Sequence, residues 1–313
     1  MANRGKKRRV LSYLLSYDTN LIVSVIFLIV FGLIMLYSAS YYTASMRQSF
    51  NYDSAYFLKS QLKYSVVGLV LMMIVANIDY KKWRYFAVLG LVGSAVLILL
   101  LLVPGLGVNV KGATRWIRVP GLGQFQVAEP VKVAMIIFSA AFICKYASAL
   151  NNLRTFIKVM IPTVVISAMI LKISDNMSTA LIVLGISFLM AFMVYPKYYP
   201  FVILAVAGAL AAAGIIYYSM NMADSDSAFR IGRIQAWLDP YAEEYADKSY
   251  QPLQALYAIG SGGLFGKGLG NSIQKLGGIP EPYNDMIFAV VCEELGVFGA
   301  GIVILMFIYL LYR

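Results

Sequence analysis

The sequence predicts an all-α polytopic membrane protein, with about eight transmembrane helices and one long extracytoplasmic loop containing short interfacial helices. Three observations predict it. The chain of 313 residues is 60% hydrophobic and only 13% charged, with a mean hydropathy of +0.74. That leaves too little polar surface for a soluble domain of this size. Apolar runs long enough to cross a bilayer fall at roughly 21–42, 60–78, 83–103, 127–148, 155–173, 178–195, 198–220 and 286–312. Lysine and arginine recur in every second connection between those runs, as the positive-inside rule requires.

Taken in order, residues 1–20 form a basic tail holding Arg4, Lys6, Lys7, Arg8 and Arg9, which places the N-terminus in the cytoplasm. Residues 21–313 form a single transmembrane domain. Its inner loops carry Lys81, Lys82 and Arg84, then Lys145, Arg154 and Lys158, then Lys197, then Arg313. Three segments are left outside: the connection 104–126, the turn "KISDNMS", and the long loop 221–285. The long loop carries Asp224, Asp226, Asp239, Glu243, Glu244, Asp247, Glu281 and Asp285, eight of the fifteen acidic residues. A loop of that length is uncommon unless it is functional. Within it, "YQPLQALYAIGSGG" has the pattern of a short amphipathic helix at the interface.

Composition also excludes chemistry. There are no histidines, so His-ligated zinc is ruled out and any general base is a carboxylate, lysine or tyrosine. The two cysteines, Cys144 and Cys292, lie in apolar runs and read as small buried hydrophobes rather than a disulfide or a metal site. The net charge of +11 is spread over short loops. It therefore marks orientation and anionic lipid contact, and no nucleic acid partner is implied.

Four stretches carry candidate chemistry. In "LGVNVKGATRWIRVPGLGQFQVAEPVKVAM", Lys111, Arg115 and Arg118 are cations on the outer side, against the usual charge bias. With nearby glycines and Trp116 they suit an anionic headgroup such as a pyrophosphate; snorkelling at the interface is the equally weighted alternative. Glu129 and Lys132 follow at i, i+3 on one helix face, read as a functional ion pair or as a buried pair that fixes packing. Asp175 reads as a helix N-cap.

The glycine-rich "AIGSGGLFGKGLGNSIQKL" is not a phosphate loop. Ser261 and Gly268 stand where a glycine and a hydroxyl residue are needed. In "PEPYNDMIFAVVCEELGVFGAG", Asp285 stands at the outer end of the last helix, as a general base or as an N-cap, a role Asn284 could fill. Glu293 and Glu294 lie two turns deeper, where charge is costly, and one of them is expected to face the bundle and bond a polar partner.

Together, "KGATRWI", "FQVAEPVK", "DNMSTALIV", "FRIGRIQAWLDP", "YQPLQALYAIGSGGLFGKGLGNSIQKL" and "PEPYNDMIFAVVCEELG" resemble the SEDS family (shape, elongation, division and sporulation proteins), and its division branch most closely. The blocks run in family order from Lys111 to Gly296. The resemblance implies an inverting peptidoglycan glycosyltransferase in the bacterial cytoplasmic membrane, with lipid II as substrate and β-1,4-linked glycan as product. It implies Asp285 as the catalytic aspartate, and Arg115, Trp116, Glu129 and Lys132 as family site residues. Lys111 and Arg118 are added as pyrophosphate-binding cations, and a class B penicillin-binding protein is the implied partner. No dedicated metal cage is visible; a divalent cation, magnesium or manganese, could share the pyrophosphate. Lys111, Val127-Ala128 and Met286 depart from the family's usual Asn, Pro-Ser and Phe. Family members usually have ten spans, so a truncated domain is expected. A lipid II flippase and a scaffold for a division transpeptidase are the alternative functions. The concentration of unusual residues toward the outer face favours the enzyme.

Overall fold

The computed structural model describes residues 17–110, 113–119, 123–147, 152–195, 199–221, 239–241 and 246–313. Lys111, most of the basic tail and much of the loop 221–285 lie outside the described residues. The helices are α1 (Thr19–Met46), α2 (Tyr56–Ala76), α3 (Tyr80–Leu100, with a 3₁₀ turn at Arg84–Phe86), α4 (Ala128–Tyr146), α5 (Leu153–Ile173), α6 (Met177–Val194), α7 (Tyr199–Asn221), α8 (Ala246–Gly262) and α9 (Ile287–Tyr312). Six of them, α1, α2, α3, α5, α6 and α9, are long and apolar enough to cross a membrane. The first turn of α4 carries Glu129 and Lys132 and its last turn Lys145, and these charges keep it out of that set.

Local chemistry sets the helix starts. Asp18 accepts from the amides of Asn20 and Leu21, and Asn152 from that of Arg154, so exposed first-turn donors are satisfied. Before α2, Asp53 accepts from the amide of Ala55 at 3.0 Å and from Lys59 at 2.6 Å. That hydrogen bond holds the Asp53 carboxyl below the usual carboxylate range. Asp175 does not cap α6, contrary to expectation. Asn176 does, through a 3.1 Å bond from the amide of Thr179, while Asp175 sits at φ 44°.

The connection 104–126 is not plain loop. It forms a three-stranded antiparallel sheet in the order β1 (Gly107–Val110), β2 (Ala113–Val119), β3 (Gly123–Gln126). β-Branched and aromatic residues between glycines supply the strands. Gly107 is required: a Cβ there would collide with the Leu101 carbonyl.

The described residues form two compact units, those of 17–73 with those of 215–313, and those of 74–214. In the second, α3, α4, α5 and α6 pack around Ile98, Val131, Met135, Ile166, Ile170 and Val183. Three buried hydroxyls stitch α4, α5 and α6: Ser139 and Ser187 are 2.7 Å apart, and Thr163 donates to Ser187 at 3.2 Å. Without such pairing, each hydroxyl would be an unsatisfied group in hydrocarbon. In the first unit, α1, α8 and α9 enclose Met35, Ala39, Ala258, Ile279 and Val290. Cys292 is buried as expected; Cys144 is exposed on α4, contrary to expectation.

Candidate functional site

Asp285 lies in the turn that leads into α9. Its side chain is exposed, and among the described residues its carboxylate has no hydrogen-bond or ion-pair partner. The cap position of α9 is Met286, and among the described residues no side chain bonds the first amides. Neither Asp285 nor Asn284 is therefore the N-cap that the sequence allowed. The amide of Asn284 instead donates to the Glu281 carbonyl at 3.0 Å, closing a turn whose Glu281 has φ 50°. Pro282 is buried beneath it, and Tyr283 packs on Phe57 of α2 with ring centroids 4.3 Å apart. An accessible, unengaged carboxylate on an anchored turn is able to accept a proton from an incoming hydroxyl.

Two turns deeper, Glu293 and Glu294 are both fully buried. The sequence expected one of them to face the bundle, and both do. Glu293 takes a 2.7 Å ion pair from Lys267, hydrogen bonds from the hydroxyls of Ser261 and Ser272, and the amides of Ile273 and Gln274 at 3.1 and 3.3 Å. Glu294 takes a 2.7 Å ion pair from Lys275 and the hydroxyl of Ser38 on α1 at 2.7 Å. Lys275 is itself buried. It also reaches the Gly270 carbonyl at 2.7 Å and lies 5.2 Å from the centre of the Tyr41 ring. Charges of this depth persist only with such dense partnering.

Lys267, Lys275 and Ser38 were not singled out from the sequence. The signal was available: two buried acids demand two cations, and the neighbouring glycine-rich block holds two lysines.

The glycine run makes that pairing possible. α9 breaks at Gly296 (φ 70°). The freed carbonyls of Glu293 and Glu294 accept from the amides of Lys267 and Gly268, both at 2.9 Å, and Val297 and Phe298 donate back to Gly263 and Leu264. A Cβ on Gly262, Gly266 or Gly296 would strike backbone across this junction. The glycines serve close backbone approach, as the sequence suggested.

In the other unit, Arg115 is half-buried on β2. Its guanidinium donates to the carbonyls of Ser174 at 3.3 Å and Asp175 at 2.7 Å, past the end of α5. Trp116 is half-buried opposite Val108 and Gln126, and Arg118 is exposed. The strand is tied to the start of α4 by the Val127 amide, which donates to the Arg115 carbonyl at 3.3 Å. Lys132 and Glu129 pair at 2.9 Å, with side chains 28% and 61% exposed. The buried-pair reading fails for Glu129, since the first turn of α4 carries it on the open side. Among the described residues, no group of three His, Cys, Asp or Glu side chains could hold a metal ion.

Comparison with known proteins agrees with this architecture. The model of a family of cell cycle proteins, FtsW, RodA and SpoVE, matches residues 18–313. The probable peptidoglycan glycosyltransferase FtsW of Trichlorobacter lovleyi is 37% identical over 301 residues, covering 96% of this chain and 75% of that protein. Stage V sporulation protein E of Bacillus subtilis is 35% identical over 301 residues, covering 95% and 78%. Among solved structures, a chain from a study of polymerisation and crosslinking by a peptidoglycan synthase complex superposes with a TM-score of 0.69 at 20% identity, covering 96% of this chain and 77% of that one. The rod shape determining protein RodA of Thermus thermophilus does so with a TM-score of 0.56 at 22% identity, covering 96% and 74%. The chain belongs to the FtsW, RodA and SpoVE family of cell cycle proteins.

Proposed function

We infer that this chain is an inverting peptidoglycan glycosyltransferase of cell division, polymerising lipid II at the outer face of the bacterial cytoplasmic membrane. The observation that carries this reading is Asp285: an exposed carboxylate without a partner among the described residues, held on the anchored turn before α9, in a chain 37% identical to a probable peptidoglycan glycosyltransferase. Asp285 takes the proton from the 4-hydroxyl of the acceptor sugar. The resulting oxygen attacks C1 of the donor, the C1–oxygen bond to pyrophosphate breaks, and undecaprenyl pyrophosphate leaves. Attack from the opposite face gives the β linkage. A base of this kind contributes about a hundredfold to ten-thousandfold in rate.

The departing diphosphate is assigned to the cations Lys111, Arg115, Arg118 and Lys132, with Trp116 and Glu129 as further substrate contacts. Arg118 is exposed and suits this role best; the Arg115 fork already holds two backbone carbonyls. A divalent cation, magnesium or manganese, suits one carboxylate together with pyrophosphate oxygens, and would neutralise charge on the leaving group. The assignment supposes eight spans, a cytoplasmic N-terminus, α8 in the extracytoplasmic loop, and a class B penicillin-binding protein as transpeptidase partner.

A transporter would need polar groups open along a path through the bundle. The buried polar groups described above bond one another instead, which favours the enzyme. The test is polymer formation from labelled lipid II by the purified protein with a class B transpeptidase. Asp285→Asn should lose polymer while keeping its melting temperature. Unchanged polymer from that variant removes Asp285 as the base. Lipid II translocation without polymer would move the assignment to the flippase.

A further inference from the structure

Among the described residues Asp285 has no partner of its own, so its position follows from what holds the chain on either side. The ion pair between Lys275 and Glu294 spans 19 positions of sequence, and Asp285 lies midway along the loop that it closes. Both charged groups are fully buried, and both bond Ser38 of α1, Lys275 at 3.0 Å and Glu294 at 2.7 Å. Glu293 binds the same strap one residue away, through the amides of Ile273 and Gln274. Between these anchors, Ile279 is buried in the core beside Met35 and Ala39.

We propose that the buried Lys275–Glu294 pair, together with Ser38, is a clasp that positions Asp285 for proton abstraction. This rests on Asp285 being the base. The three residues are positioning residues: none of them reaches the exposed carboxylate, and the pair is sealed from solvent. A closed loop has few conformations, and opening it at its neck frees the apex. Displacing a catalytic group by about 1 Å is enough to cost on the order of a hundredfold in rate.

A pair that only stabilised the fold would be dispensable once both charges were removed together, because the cost of breaking a buried pair comes from the charge left unpaired. The clasp would not be dispensable in that way. The decisive variant is therefore Lys275→Met with Glu294→Gln in the full chain, reconstituted in lipid nanodiscs. Two readouts are taken: hydrogen exchange of the amides at 277–286, and turnover of labelled lipid II. The expected result is a melting temperature close to that of the wild type and faster exchange across 277–286. Turnover at saturating lipid II should fall on the order of tenfold or more, with KM changed less than about twofold.

Wild-type exchange, or wild-type turnover, in the double variant overturns the clasp. Should the double variant not fold, Ser38→Ala removes one hydroxyl and keeps the ion pair. Faster exchange there supports the clasp, and unchanged exchange overturns it. The exchange readout needs no turnover. If the wild type makes no polymer but the strap loosens, the pair's hold on the strap stands, and the polymerase reading has failed together with the catalytic purpose given to that hold.

Discussion

Arg115 donates a 2.7 Å hydrogen bond to the carbonyl oxygen of Asp175, 60 positions further along the chain. With the second bond to Ser174, this cation fixes β2 against the end of α5 and supplies positive charge where the helix dipole is negative. Arg115→Ala should destabilise the protein by about 1.5–3 kcal/mol, the range for hydrogen bonds made by charged groups. Arg115→Lys should recover part of that loss, since a single ammonium cannot span both carbonyls. Thermal unfolding in detergent checks both. A full-length Arg115→Ala variant with unchanged melting behaviour would show that the carbonyl contacts contribute nothing.

Two glycines of α9 should respond in opposite ways. Gly296 has φ 70° and no room for a Cβ, so Gly296→Ala should cost more than about 1–2 kcal/mol and lower folded yield. Gly301 is helical with open space around it, so Gly301→Ala should be neutral or stabilising by up to about 1 kcal/mol. Fluorescence-detected size exclusion after a heating series compares the two directly.

Ser187 bonds both Ser139 and Thr163. Ser187→Ala should cost about 0.6–2 kcal/mol, the range measured for hydrogen bonds between membrane helices. Adding Ser139→Ala to it should cost less than the sum of the single changes, because the shared bond is already lost. Unfolding measurements on this double-mutant cycle test the coupling.

Glu129 is exposed and its partner Lys132 half-buried, so Glu129→Gln should change stability by less than about 1 kcal/mol. If Glu129 contacts substrate, polymer formation should nevertheless fall. Equal loss of stability and of activity would make it a structural residue only.

Asp53 gives a pH prediction. Its carboxyl is held low, first by the hydrogen bond from Lys59 and then by the amide of Ala55. A depressed carboxylate stabilises the fold at any pH above its ordinary value of about 3.9. That contribution is lost as pH falls through the lowered value. Hydrogen exchange in the first turn of α2 should therefore rise only below the ordinary carboxylate range. Asp53→Asn should raise it wherever the wild-type carboxyl is ionised and abolish the dependence.

The helices were legible because a run such as 287–312 has no other way to satisfy its backbone in hydrocarbon. The sheet at 107–126 was not. Its strands are short, glycines and cations interrupt them, and Gly107 makes sense only against the Leu101 carbonyl and the Thr114 side chain. Asp285 was legible from its block, but its lack of a partner among the described residues was not, since the helix amides offered it one on paper. The burial of both Glu293 and Glu294 was half legible. Adjacent helical positions face different directions, and only the break at Gly296 with the returning glycine strand brings cations to both.

The junction at Gly296 limits how this protein can be recombined with its relatives. Backbone donors at 267 and 268 complete a gap in a helix that begins 19 residues after the second of them, and the strand returns its own carbonyls to 297 and 298. Neither piece is self-sufficient in oil, so crossover points in chimeras belong before Gly262 or after Phe298. A graft that separates the two should be degraded rather than inserted, however close the donor sequence.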